Sequence, residues 1–209
     1  MTLSTSEFAT SEPVIRRAMP GDRGALYDVC VRTGAAGQDA TGVYLHPDLL
    51  GDVFVGPYLR FQLDLAFVVD VCSRPVGYIL GALDTAKFDA RCEHGWWPEL
   101  RVAYAGLVVP EDSADAALLR RIECPPSVPD FVVDYPSHLH VDLMPSLQGG
   151  GWGRRVMSTL WQALRDQGSR GVHLGVSRDN SNAVGFYEHL GFVEIRSDEH
   201  ARWYGYSFV

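Results

Sequence analysis

Cysteine is scarce and scattered in this chain of 209 residues: Cys30, Cys72, Cys92 and Cys124 form no CxxC pair. That spacing argues against a zinc ribbon or a redox dithiol. It predicts four free, mostly buried thiols and no metal site. Long apolar runs are missing too. Nothing approaches the ~20 residues of a membrane span, and the polar start MTLSTSEFATSEP lacks the apolar stretch of a signal peptide. A cytoplasmic protein with no membrane partner is the expectation. Positive charge is also short, with 18 Lys and Arg against 26 Asp and Glu, a formal charge of −8. A nucleic-acid binder would present a basic surface, so no nucleic-acid partner is expected. The acidity is compatible with a cationic ligand such as an amine, but acidic surfaces are common and this carries little weight.

What is present is ordinary for a globular chain: 46% apolar and 21% charged residues, enough for one core without staples. Residues 1–12 read as a disordered lead-in and 13–209 as one domain. PVIRRA (13–18) reads as a strand, and Asp22 is placed to cap the helix that follows, which stops near Gly34. Residues 35–60 read as irregular with one short helix. LAFVVDV (65–71) and PVGYILGALD (75–84), separated by three residues, predict a hairpin. The stretch 85–135 reads as an irregular insertion with one or two helices, broken by Pro125, Pro126 and Pro129. From 138 onward the pattern is strand, helix 156–167, strand 171–176, helix 182–191 and two final strands. The fold class implied is α+β, a mixed sheet with helices on both faces.

At HLHVDLMPSLQGGGWGRR (138–155) a strand meets a glycine run and then a helix. Such a junction presents free backbone N–H groups, backed by the positive end of the helix dipole, to an anion. The Walker A pattern requires Lys-Ser/Thr where Arg154-Arg155 stand, and GxGxxG requires glycine where Arg154 or Val156 stands. What fits is Gln-x-x-Gly-x-Gly, with Gln148, Gly151 and Gly153. On the strand, His140 and Asp142 share one face, and Val141 and Leu143 the other. His138 and His140 read as support for a relay, as metal ligands, or as exposed strand positions; the last is preferred.

The run LMPSLQGGGWGRRVM resembles the acetyl-CoA-binding motif of the GNAT (Gcn5-related N-acetyltransferase) superfamily. NSNAVGFYEHLGF (180–192) matches that family's N-x-x-A-x-x-x-Y-x-x-x-G-F through Asn180, Ala183, Tyr187, Gly191 and Phe192. HVDLMP followed by a helix and GSRGVHLGV is similar, more narrowly, to the acetyltransferase-like C-terminal domain of O-GlcNAcases, here as a stand-alone relative. The resemblance implies a mostly antiparallel sheet of six to seven strands and a single GNAT domain over 13–209. It implies an acetyl-CoA-dependent N-acetyltransferase in which a primary amine attacks the thioester directly, within a ternary complex. No cysteine lies in either motif, which disfavours a covalent route. The backbone of Gly149, Gly150, Gly151, Trp152, Gly153 and Arg154 would hold the pyrophosphate, with Gln148 opening the turn. Main-chain groups of Leu143 and Met144 would meet the pantetheine, beside Ala183; Asn180 would hydrogen-bond the pantetheine or cap the helix that follows it. Tyr187 would be a general acid toward the leaving thiolate, with a core tyrosine as the alternative. Asp142 is either the base that neutralises the amine or a structural brace. Trp96, Trp97, Tyr44, His46 and Tyr58 line an acceptor groove or fill the insertion's own core; the second is preferred. The rival reading is a non-catalytic acyl-CoA-binding module. The acceptor partner is an amine of open identity, and a homodimer is compatible with the family.

Overall fold

The computed structural model describes residues 12–208, so the lead-in expected over 1–12 falls outside the described residues except for Glu12. β1 (Val14–Arg17) leads into α1 (Arg23–Thr33). α2 (Pro47–Phe54) and α3 (Gly56–Phe61) follow, then the hairpin of β2 (Ala66–Val71) and β3 (Arg74–Ala82). Its turn holds Cys72 and Ser73 at φ 51° and 64°, the left-handed backbone of a type I′ turn that matches strand twist. Next come α4 (Thr85–Gly95), α5 (Trp97–Ala103), α6 (Ala114–Glu123) and β4 (Ser137–Leu143). α7 (Trp152–Asp166), β5 (Gly171–Ser177), α8 (Ser181–His189), β6 (Val193–Ser197) and β7 (Ala201–Ser207) complete the order. Among the described residues no helix is long and apolar enough to cross a membrane.

Three expectations are corrected here. The segment 35–60 holds two helices, α2 and α3, where one was expected, and 85–135 holds three, α4 to α6, where one or two were expected. Pro47, Pro57 and Pro98 stand in the first turns of α2, α3 and α5. There a missing N–H has no intrahelical partner to lose, so these prolines start helices rather than break them. Asp22 does not cap α1 with its side chain. Its carboxylate instead accepts from Arg16 at 2.7 and 2.9 Å and from the Met19 N–H at 2.8 Å. Of the four free thiols only Cys30 and Cys92 are buried; Cys72 and Cys124 are exposed.

Among the described residues the sheet has seven strands in the order β1-β2-β3-β4-β5-β7-β6, antiparallel throughout except between β4 and β5. β2 is buried along nearly its whole length, because helices cover both faces. On one face α1 to α6 bury Leu26, Val29, Leu49 and Ile122 against Val68, Tyr78 and Leu80. On the other, α7 sets Val156, Met157, Leu160 and Leu164 against Phe67, Val69 and Ile79. Those four α7 side chains are fully buried. Each contributes roughly 1.5–3 kcal/mol by leaving water, which fixes the helix more firmly than propensity does. α7 begins at Trp152, one turn before the expected residue 156.

The loop before α2 is held by a buried carboxylate. Asp115, fully enclosed in the first turn of α6, accepts the N–H groups of Leu45 and His46 at 3.0 and 2.9 Å. Helix–helix packing is equally tight at Gly51. A methyl there would lie 2.3 Å from Tyr27 ring carbons, and the Tyr27 hydroxyl is tied to Asp52 Oδ1 at 2.6 Å, so the ring has nowhere to go.

β4 and β5 pair at only two positions, Ser137 with Val172 and His138 with His173. Beyond that point they part, leaving a wedge whose root is a pair of histidines with ring centroids 5.8 Å apart. The Thr85 hydroxyl donates to the Pro136 carbonyl and stands 2.9 Å from His138 Nδ1. His173 Nδ1 donates to the Tyr135 carbonyl at 2.8 Å. Phe88 and Phe131 press edge-on against the two rings. Burial, reinforced by the neighbouring imidazoles, pushes His138 down from 6.5 to about 3, and burial lowers His173 as well.

Gly51→Ala is expected to cost about 1–3 kcal/mol through overpacking, read as a lower denaturant midpoint with the same slope. The histidine pair also makes the fold acid-sensitive. Above about pH 6.5 both rings are neutral in folded and unfolded chains alike. As pH falls below that value the unfolded chain takes up protons that the folded one refuses. His138 alone then removes on the order of 2 kcal/mol by about pH 5. His140, held up to about 10, acts with the opposite sign over the same window, so the measurement is the change in stability from pH 7.5 to pH 5 in wild type against His138→Gln, with the smaller loss in the variant.

Candidate active site

The wedge between β4 and β5 opens into a cleft with two adjoining parts, of about 560 and about 250 Å³. The larger is lined by the turn before α7, by Val141 to Leu143 and by α8. The smaller reaches Cys30 and Thr33 of α1, Leu50 and Phe54 of α2, and His140 and Asp142. Val141, Asp142, Asn180, Ala183 and Tyr187 line both, so the two matched motifs meet at the junction.

The glycine turn divides its work. Gly149 and Gly151 take φ of 75° and 73°, a region that costs other L-residues about 1–2 kcal/mol, and space beside them is open. Gly153 has a different task. A methyl on it would meet the Phe186 ring at 2.8 Å, so this glycine lets α7 and α8 approach. The first helical bond of α7 runs from Arg155 N to Gly151 O at 3.2 Å. The N–H groups of Trp152, Gly153 and Arg154 therefore precede the ladder and point out of the helix end, an anion-binding arrangement. Gln148 and Arg154 line this part of the cleft. Arg155 instead lies over the Trp152 ring, 4.6 Å from its centroid.

Strand register decides which main-chain groups face the opening. Met144 N–H donates to Val76 O at 3.1 Å, and Met144 O accepts from Leu147 N at 2.9 Å. Met144 is thus committed to β3 and to its own turn, which corrects its expected role toward pantetheine. The same ladder phase aims the groups of His140 and Asp142 at β3 and those of Val141 and Leu143 at the open side. Val141 is the residue that motif matching missed. Asn180 accepts the Ala183 N–H at 3.1 Å through Oδ1 and so caps α8. Its amide nitrogen would lie 3.3 Å from a methyl on Gly37, across the cleft. Gly37, Gln38 and Thr33 also line the opening; only the Gly-Ala-Ala-Gly run hinted at them.

Asp142 sits in a polar cluster on the α1 face of the sheet. Its Oδ2 accepts the Tyr78 hydroxyl in a short bond and stands 3.2 Å from His140 Nε2. The Tyr78 oxygen is 3.0 Å from the same nitrogen. Burial and the Asp142 charge hold the Tyr78 phenol well above its ordinary range, so it stays a donor. Burial opposes the charged form of His140, yet the adjacent carboxylate prevails and pushes it up to about 10. His140 is therefore no exposed strand residue; its ring stacks on Phe54 at 5.7 Å. Cys30 completes the cluster from α1, far in sequence from either motif.

Tyr187 is buried among Phe186, Phe192 and Tyr204. Burial first, and the Asp142 charge second, raise its phenol above the ordinary value. Trp96, Trp97 and Tyr58 are buried in the helical core, in line with the preferred reading of those aromatics. Tyr44 packs on that core, and the His46 N–H is spent on Asp115.

Residues 130–192, the stretch that builds β4, the glycine turn, α7, β5 and α8, match the model of the Acetyltransferase (GNAT) family. Over 190 residues, 88% of its length, the chain is 28% identical to Protein O-GlcNAcase of Rattus norvegicus, and it spans about a fifth of that protein. The crystal structure of SsHAT aligns with 95% of this chain and 99% of its own, at 38% identity and a TM-score of 0.86. The fold also recurs in a Salmonella typhimurium protein, yncA, described as a putative acetyltransferase with its cofactor acetyl-CoA (16% identity, 95% of both chains, TM-score 0.55). A relative alike along its whole length, and a profile that coincides with the walls of the cleft, together make this chain a member of the GNAT acetyltransferase family.

Proposed function

We propose that this chain is an acetyl-CoA-dependent N-acetyltransferase that passes the acetyl group to a primary amine within a ternary complex. One observation carries the reading: a single cleft joins an anion-binding glycine turn at one end to an uncommitted carboxylate oxygen at the other. The cleft also fits the cosubstrate's chemistry. Left-handed glycines, the three leading N–H groups of α7 and Arg154 suit a pyrophosphate. The open main-chain groups of Val141 and Leu143 suit the amides of pantetheine, laid in as an added strand between β4 and β5. The yncA neighbour, whose description names acetyl-CoA, supports that ligand class.

In this reading Asp142 is the base. Its contacts with Tyr78 and His140 both fall on Oδ2, which leaves Oδ1 to receive the ammonium. Taking one proton there frees the amine lone pair for attack on the thioester carbonyl. Holding the two reactants side by side supplies much of the acceleration, and wedge-facing N–H groups stabilise the oxyanion as it forms. Tyr187, kept protonated by burial, gives its proton to the departing thiolate. The second proton leaving the nitrogen as the amide forms restores the phenol. Atoms balance: an ammonium and a thioester become an amide, a thiol and one released proton.

Acetyl-CoA is expected to bind in the micromolar to millimolar range by isothermal titration, and free thiol to appear with at least one member of a primary-amine panel. Asp142→Asn should lower kcat/KM by about 10²- to 10⁴-fold while acetyl-CoA binding is retained. Tyr187→Phe should reduce kcat by about 10²-fold. Tight binding with no turnover on any amine would favour the non-catalytic module, and absence of binding would sink both readings.

A further inference from the structure

The smaller part of the cleft holds more chemistry than amine activation needs. Cys30 offers a sulfur, His140 a ring nitrogen and Asp142 a carboxylate oxygen, and the three atoms lie within 4.8 Å of one another. They come from two elements, α1 and β4, whose packing is set by the sheet. Cys30 is buried, with 2% of its surface exposed, while His140 and Asp142 keep 28% and 19% of their side-chain surface. All three line a cavity of about 250 Å³ that continues into the open wedge.

We infer that Cys30, His140 and Asp142 form a binding site for a borderline-soft divalent cation such as Zn²⁺. Thiolate, imidazole and carboxylate are the donor types that this ion takes at bonds of about 2.0–2.3 Å. Ligand atoms on a tetrahedral ion of that size stand about 3.3–3.6 Å apart. His140 Nε2 and Asp142 Oδ2 are already at 3.2 Å, and the Cys30 sulfur lies within 4.8 Å of both. Charge balances as well. Binding releases the Cys30 thiol proton and the His140 ring proton to solvent, and the dication with one thiolate and one carboxylate is then formally neutral, which leaves no unpaired charge. The fourth position faces the cavity and stays open to water or another small donor. Phe54, stacked on His140, supplies an apolar wall that limits solvent there. An ion on Oδ2 draws charge from the whole carboxylate, so a metal-bound Asp142 is a poorer base toward an amine at Oδ1. The site itself stands independently of the acetyl-transfer reading, since its ligands are fixed by the fold alone.

The test uses the full chain freed of metal by chelation, titrated with Zn²⁺ by calorimetry and with Co²⁺ by absorption. One ion per chain is expected, together with the intense near-ultraviolet band of a thiolate–cobalt bond. Cys30→Ser should abolish that band and weaken Zn²⁺ binding at least tenfold. His140→Gln should weaken binding similarly while the thiolate band persists at high Co²⁺. Cys92→Ser, which removes the other buried thiol, should change neither, and circular dichroism shows whether each variant is folded. A thiolate band that survives Cys30→Ser, a site insensitive to His140→Gln, or no thiolate band in the wild type overturns the assignment. Should Cys30→Ser not fold, the wild-type band and His140→Gln decide the matter.

Discussion

β4 and β5 share two residue pairs and then separate, and the functional architecture rests on that parting. A parallel pair that stayed zipped would satisfy the main-chain groups of Val141 and Leu143 internally. Parted, it leaves them facing a cavity, where unpaired backbone N–H and C=O groups are costly unless something else binds them. The separation is sustained from both sides. β4 remains fully laddered to β3, and β5 to β7, so neither strand can drift back without losing its other partner. At the root, two neutral histidines anchored to main-chain and hydroxyl oxygens mark where pairing stops.

Around this wedge, similar residues do unlike work. Gly149 and Gly151 are needed for a left-handed backbone, whereas Gly153 is needed because a ring occupies the space its side chain would take. Asn180 caps α8 with its oxygen and presents its nitrogen toward the opposite loop. The capping role and the cleft-lining role are therefore compatible in one residue. Of the adjacent arginines, Arg155 is stacked on Trp152 and Arg154 faces the cleft.

The helical layer of α1 to α6 shapes the other end of the cleft. It brings Cys30, Leu50 and Phe54 against the β4 face that carries His140 and Asp142. The buried Asp115 ties the loop before α2 to α6, and the close contact of Gly51 with Tyr27 locks α1 to α2. A carboxylate flanked by the β3 phenol and the β4 imidazole is thereby given a thiol for a third neighbour. That grouping exists only because α1 crosses the strand at this point.

Sequence alone determined the parts whose signal is local. Alternation marked the hairpin and β4, helical spacing marked α7 and α8, and two motifs in register marked the cleft-forming segment and its family. Glycine spacing excluded other phosphate-binding loops without any coordinates, because backbone reach depends on residue count. The tertiary structure alone decided what depends on neighbours distant in the chain. The Met144 N–H is taken because Val76 lies opposite it, and the same ladder phase leaves the main-chain groups of Val141 facing the cleft. First-turn prolines concealed α2, α3 and α5, since proline reads alike as a breaker and as a starter. His140 looked exposed on its strand until α2 covered it. Cys30 and Asp142 are 112 positions apart in the chain, and no periodicity or motif links them; only packing of α1 on the sheet sets a thiol, an imidazole and a carboxylate within reach of one ion.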